Sequence, residues 1–79
     1  MTASAQQIEN AMDLTAVLTI EQIAADERIG ASKALTDFLA SNTAAQLFDD
    51  SLKRWWEGPS SLADAYEAEK AARQQAAGL

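Results

Sequence analysis

Phe48-Asp49-Asp50-Ser51-Leu52-Lys53-Arg54-Trp55-Trp56-Glu57-Gly58-Pro59-Ser60 holds three of the chain's five aromatic residues, both tryptophans and the only proline, within thirteen positions. Aromatic side chains bury large areas, and a Gly-Pro step changes the direction of the chain, so this stretch anchors either a core or a partner. Gly58 tolerates positive φ and Pro59 cannot extend a preceding helix. A short helical turn through Leu52-Lys53-Arg54-Trp55-Trp56 should therefore end at Gly58, after a cap drawn from Asp49, Asp50 or Ser51. Adjacent residues cannot share a helix face, so Trp55 and Trp56 must divide, one buried and one exposed.

Upstream, Ser4 and Gln7 have the form of a capping box, and Ile8, Met12, Ile20 and Ile23 recur near helical spacing, so a first helix is expected from Ala5 to Glu27. Leu14, Val17 and Leu18 lie off that stripe, which makes the helix apolar over a wide arc and suits a central helix with more than one neighbour. Gly30 has the form of a glycine closing this helix, and Ser32 that of the cap of a second helix running from Lys33 to about Ala40. Leu35, Phe38 and Leu39 should be its buried face, with Lys33 and Asp37 paired in solvent. Ser41-Asn42-Thr43 offers three good caps for a short helix over 44–48 that turns Leu47 and Phe48 inward.

Downstream, Ser60 or Ser61 opens the last helix, with Asp64 available to close a capping box. Leu62 and Tyr66 share one face. Beyond them, residues 67–77 have high helix propensity but no large apolar side chain, so Glu67 and Glu69 read as part of a solvated face. Nothing alternates as a strand does. The expected fold is all-α, one domain over residues 1–79, a small bundle of three main helices plus one or two short helical turns, with residues 1–7 and 74–79 frayed or disordered. Ile20, Ile23, Leu35, Phe38, Leu39, Leu47, Phe48, Leu52, one Trp, Leu62 and Tyr66 should form the core.

Composition narrows the chemistry. At 79 residues, a single core supplies only about 3–5 kcal/mol without a staple or a partner. With no cysteine and no histidine, disulfides, thiolate zinc sites and the commonest acid–base side chain are excluded. The net charge of −6 repels nucleic acid and anionic lipid. The N-terminus lacks the basic segment of a signal peptide, and no apolar run reaches the 18 or so residues of a membrane span, so a bacterial-type cytoplasmic chain is expected.

Three motifs carry chemistry. Residues 20–48 echo a helix-turn-helix, but the second helix has Lys33 as its lone cation, so it offers little to phosphates. Asp49, Asp50, Asp64 and Glu67 could gather oxygens, yet they lack calcium-loop spacing and a Glu-x-x-His pair; capping and solvation account for them, and no cofactor or metal is expected. Lys53 and Arg54 beside Trp55 and Trp56 form a cation–aromatic group, although both cations have Asp49, Asp50 or Glu57 within reach. The indole left exposed is the best candidate hot spot.

The runs Phe38-Leu39-Ala40-Ser41-Asn42-Thr43, Leu47-Phe48-Asp49-Asp50 and Trp55-Trp56-Glu57-Gly58-Pro59-Ser60, with Leu62-Ala63-Asp64, resemble a group of small, uncharacterised bacterial α-helical proteins. Their pattern is F-x-x-S-x-T, then L-F-D, then W-x-G-P-S. The likeness spans residues 38–66. It implies a short helical cytoplasmic protein and an association with loci like those of toxin–antitoxin pairs; it implies no activity or binding residue.

Together these features point to a non-enzymatic protein–protein interaction module, with Phe48, Asp49, Asp50, Lys53, Arg54, Trp55 and Trp56 as the partner-binding residues. It would engage a protein partner or self-associate, without nucleic acid or membrane. The alternative is an acidic, antitoxin-like regulator that covers a basic partner surface with Asp49, Asp50, Asp64, Glu67 and Glu69.

Overall fold

A computed structural model describes residues 5–49, 52 and 54–77, with Ala77 described by its backbone alone. The fold is all-α. Among the described residues there are four helices, α1 (Ala5–Glu27), α2 (Ala31–Leu39), α3 (Asn42–Leu47) and α4 (Pro59–Ala77), with short corners after α1 and α2 and a 3-10 turn (Arg54–Trp56) before α4. Ala31 and Leu35 border Val17 and Ile20, so the start of α2 packs on the middle of α1. Pro59 and Ser60 border Leu18 and Gln22, whereas Lys70 reaches Glu27, so α4 runs beside α1 in the same direction. α1 is thus the central helix.

Phe38, Ile23, Leu47 and Leu62 are fully buried and meet where the helices converge; Phe38 and Tyr66 pack with ring centroids 5.9 Å apart at 54°. Much of the seam is made of small residues. Ala16, Ala34, Ala44 and Ala63 are buried, and their short side chains let the backbones approach closely. Buried Thr19 satisfies its hydroxyl locally, donating to the Thr15 carbonyl at 2.6 Å.

The corner after α1 differs from the sequence expectation. Arg28, at φ 56°, takes the left-handed position, and the Ile29 N–H donates to the Ala24 carbonyl at 3.0 Å, closing a Schellman motif whose apolar follower, Ile29, packs on the core. Gly30 is extended at φ −68° and ψ 154° and occupies the N-cap of α2, so Ser32 lies inside that helix. The chain thus turns two residues earlier than Gly30, which places Ile29 against the core. α3 is capped by Ser41, whose hydroxyl accepts from the Ala44 N–H at 3.1 Å and donates to the Phe38 carbonyl at 2.6 Å.

Four expected core residues lie outside. Leu35 and Leu39 are exposed, because a nine-residue helix offers one narrow face, and Ala34 with Phe38 fills it. Phe48 is 41% exposed and Leu52 is exposed too: α3 ends at Leu47, which takes the inward place, and the chain turns away after it. Leu14, Val17 and Leu18 are exposed on α1 rather than covered by further neighbours. At the last corner, Gly58 (φ 88°) leads directly into Pro59 as the first helical residue, and the Leu62 N–H donates to the Gly58 carbonyl at 3.2 Å. Neither Ser60 nor Ser61 is the cap, and Asp64 lies beyond the first turn; Ser61 Oγ instead donates to Glu57 Oε1 at 3.2 Å. Ser4, Asp50, Ser51 and Lys53, to which capping or pairing roles were assigned, lie outside the described residues, as do 1–3 and 78–79.

Candidate functional site

The 3-10 turn sits against α1 and α3 and carries the two indoles. Trp55 is half-buried and packs on the core cluster, whereas Trp56 is 71% exposed. The tight turn lets neighbouring rings lie almost flat on one another, with centroids 4.8 Å apart and planes at 26°. Trp55 therefore forms a floor beneath Trp56. The Trp55 Nε1–H is shut off from solvent and finds no acceptor among the described residues.

Arg54 Nε lies 2.7 Å from Glu57 Oε2, but its N–H is not aimed along that line, so the contact is an ion pair rather than a directed hydrogen bond. This pair frames the turn on its polar side. Phe48 and Leu52 are exposed on the segment leading into it, and the Leu52 N–H donates to the Asp49 carbonyl at 3.0 Å. Phe48 stacks on neither indole: among the described residues the ring pairs are Phe38–Tyr66 and Trp55–Trp56. Of the expected binding residues, Arg54, Trp55 and Trp56 are thus drawn together on one turn, while Phe48 and Asp49 stand at the end of α3.

A second polar constellation escaped the sequence reading. Glu69 of α4 accepts the Asn42 N–H at 2.9 Å, the Thr43 N–H at 2.9 Å and the Thr43 hydroxyl at 2.8 Å, and pairs with Arg73. It thus caps the free N–H groups of α3 from another helix. Burial pushes the Glu69 carboxyl up, but the Asn42 and Thr43 donors and Arg73 outweigh it and hold the group below its usual range. On the neighbouring positions of α4, Lys70 Nζ donates to Glu27 Oε1 at 2.7 Å, and Glu67 hydrogen-bonds Glu27.

That last contact joins two carboxyl groups. Glu27 Oε2 and Glu67 Oε1 are both sealed from water with no side-chain donor of their own, so the bond requires a proton on one of them. The Glu27 bond, desolvation and the Glu27 charge raise Glu67 to about 7, while the bonds from Glu67 and Lys70 lower Glu27. Bonding to Glu27 raises Lys70 in turn, and burial raises Tyr66. The signal for this cluster was present in the spacing. Positions 62, 66, 69, 70 and 73 continue one helical stripe in which apolar residues give way to charged ones.

Neither Glu27 nor Glu67 opens into the nearby groove of about 280 Å³, which is lined by Asp37, Ala40, Tyr66, Glu69, Lys70 and Arg73. The perturbed carboxyl is therefore packed between helices rather than presented to a ligand. Among the described residues no three carboxylates gather as metal ligands, and no helix is long and apolar enough to cross a membrane. The fold and surface define a small all-α domain with an aromatic projection. Compared with protein-family models, curated proteins and solved structures, the chain finds no match.

Proposed function

We propose that this chain is a non-enzymatic protein–protein interaction module that docks a partner protein through the indole of Trp56. The observation that carries the reading is the stack: an indole 71% exposed, resting on a second indole that is itself packed on the core. A large apolar group held in place before binding loses little side-chain freedom when it enters a pocket, which is what interface anchors require. Leu52 and Phe48 extend the apolar surface toward α3, and the Arg54–Glu57 pair supplies a polar rim. The partner accordingly presents an apolar pocket of indole size with polar edges.

The alternative, an acidic antitoxin-like regulator covering a basic surface, draws on the net charge of −6 and on the resemblance carried by residues 38–66. Its footprint is thinner in the fold, since Glu69 is committed to capping α3 and Glu67 to Glu27. Asp64 remains exposed.

The test is capture of a native partner with the full chain, followed by titration of that purified partner with intrinsic fluorescence as the readout. Trp56→Ala should weaken binding at least about 30-fold, and tightening should persist at about 0.5 M salt. Binding unchanged in Trp56→Ala would remove the aromatic reading; binding that collapses with salt would favour the acidic one.

A further inference from the structure

α1 is apolar on two opposite faces. At 100° per residue, Met12, Ala16, Thr19, Ile20 and Ile23 point to one side and are buried, while Leu14, Val17 and Leu18 point to the other and remain 61%, 52% and 41% exposed. A helix that is apolar all round is ordinarily covered all round. We propose that this outer face of α1, with Leu35 of α2 beside it, is the contact surface of a homodimer, its occupant being the same face of a second copy of this chain.

Shape supports a second copy. The ridge Leu14–Val17–Leu18, with Glu21 beside it, is flanked by two grooves: one of about 260 Å³ against α2, lined by Val17, Ile20, Glu21, Ala31, Ser32 and Leu35, and one against the start of α4, lined by Leu18, Glu21, Gln22, Ala25, Pro59 and Ser60. A ridge between grooves is complementary to itself, and a twofold axis places each ridge in the other's groove. The antiparallel arrangement is the one that charge permits. With the axis near Val17 and Leu18, Glu21 of each copy falls beside the other's Leu14, and the two Glu21 carboxylates stay roughly 10 Å apart along the helix; a parallel pair would stack them.

Size agrees with this. The chain exposes 5306 Å² at 8.5 kDa, about 600 Å² more than the roughly 4,700 Å² of a compact monomer of that mass. Its radius of gyration is 13.2 Å, where about 11.6 Å is expected for this length. The exposed Leu14, Val17, Leu18 and Leu35 contribute part of that surplus, and a standard interface takes roughly 800 Å² from each partner. Two copies carrying −6 each also repel, so the dimer should tighten as salt rises, opposite to a charge-led complex.

Sedimentation velocity on the full chain, from about 5 to 200 μM, should show a reversible dimer with a micromolar Kd that falls between about 0.05 and 0.5 M salt. Leu14→Glu and Val17→Glu, both at exposed positions, should raise Kd about 30-fold or more with helicity unchanged. Trp56→Ala should leave Kd unaltered, which separates this surface from the proposed partner site. Because the chain has no cysteine, Val17→Cys should oxidise to a covalent dimer far faster than Ala72→Cys on exposed α4. A wild-type monomer at about 200 μM, a dimer indifferent to Leu14→Glu, or equal cross-linking of the two cysteine variants would each overturn the proposal.

Discussion

Raising the pH from 5.5 to 8.5 should loosen this fold through one contact, the hydrogen bond between Glu27 and Glu67. Glu67 is raised from 4.5 to about 7, chiefly by that bond and then by desolvation. A group whose folded pKa lies above its unfolded value contributes stability that is complete below pH 4.5 and is lost as pH climbs through about 7. At about 1.36 kcal/mol per unit the ceiling is about 3.4 kcal/mol, and solvent screening of a half-buried pair reduces it to roughly 1–2 kcal/mol. Glu27 is lowered by its bonds to Glu67 and Lys70, so its contribution has the opposite sign and is lost as pH falls through its folded value, below 4.5. Stability should therefore peak on the acid side of neutrality. Lys70 and Tyr66, which face the pair, are both raised and so titrate above this window, and the chain has no histidine or cysteine to titrate there. Urea unfolding followed by circular dichroism should lose roughly 1–2 kcal/mol between pH 5.5 and 8.5. In Glu67→Gln the amide N–H replaces the shared proton, so the curve should flatten and the variant should equal or exceed wild type at pH 8.5. A wild type as stable at pH 8.5 as at 5.5, or a Gln variant that keeps the slope, would refute the shared proton.

The other expectations concern single residues. Glu69→Ala should cost about 1–3 kcal/mol and accelerate amide exchange at Asn42 and Thr43 ahead of the rest of α3, because these N–H groups lose their acceptor. Arg28→Gly should raise the melting temperature, with a gain of about 0.5–1 kcal/mol from relieving a left-handed non-glycine residue. Phe38→Ala should cost about 3–5 kcal/mol, whereas Trp56→Ala should cost under about 1 kcal/mol by chemical denaturation. Acrylamide should quench Trp56 well before Trp55, resolved with single-Trp variants.

Much of the helix plan follows from local chemistry. The 3.6-residue spacing of Ile8, Met12, Ile20 and Ile23 delimits the first helix, and the observed span, Ala5–Glu27, agrees. The Gly58-Pro59 step marks the start of the last one, since it acts within a few residues and needs no partner. The division of Trp55 from Trp56 was legible for the same reason, as no short turn can bury two neighbours. Which indole went inward was not legible, because α3 and α1 choose it from across the chain.

Hydrophobicity alone misplaced Leu35, Leu39, Phe48 and Leu52. Large side chains suggested core, yet close helix approach favoured Ala34, Ala44 and Ala63 at the seams and left the larger residues outside. The carboxylates were misread for a related reason. Glu67 and Glu69 are helix-surface residues in one dimension, and only the placement of α4 beside the ends of α1 and α3 gives them Glu27, Asn42 and Thr43 as partners. The amino-acid order by itself determined an all-α chain with its breaks and its aromatic turn, since periodicity, caps and Gly-Pro geometry are local. Tertiary structure alone decided which faces meet, because burial and shared protons depend on residues 25 to 45 positions apart that no local rule connects.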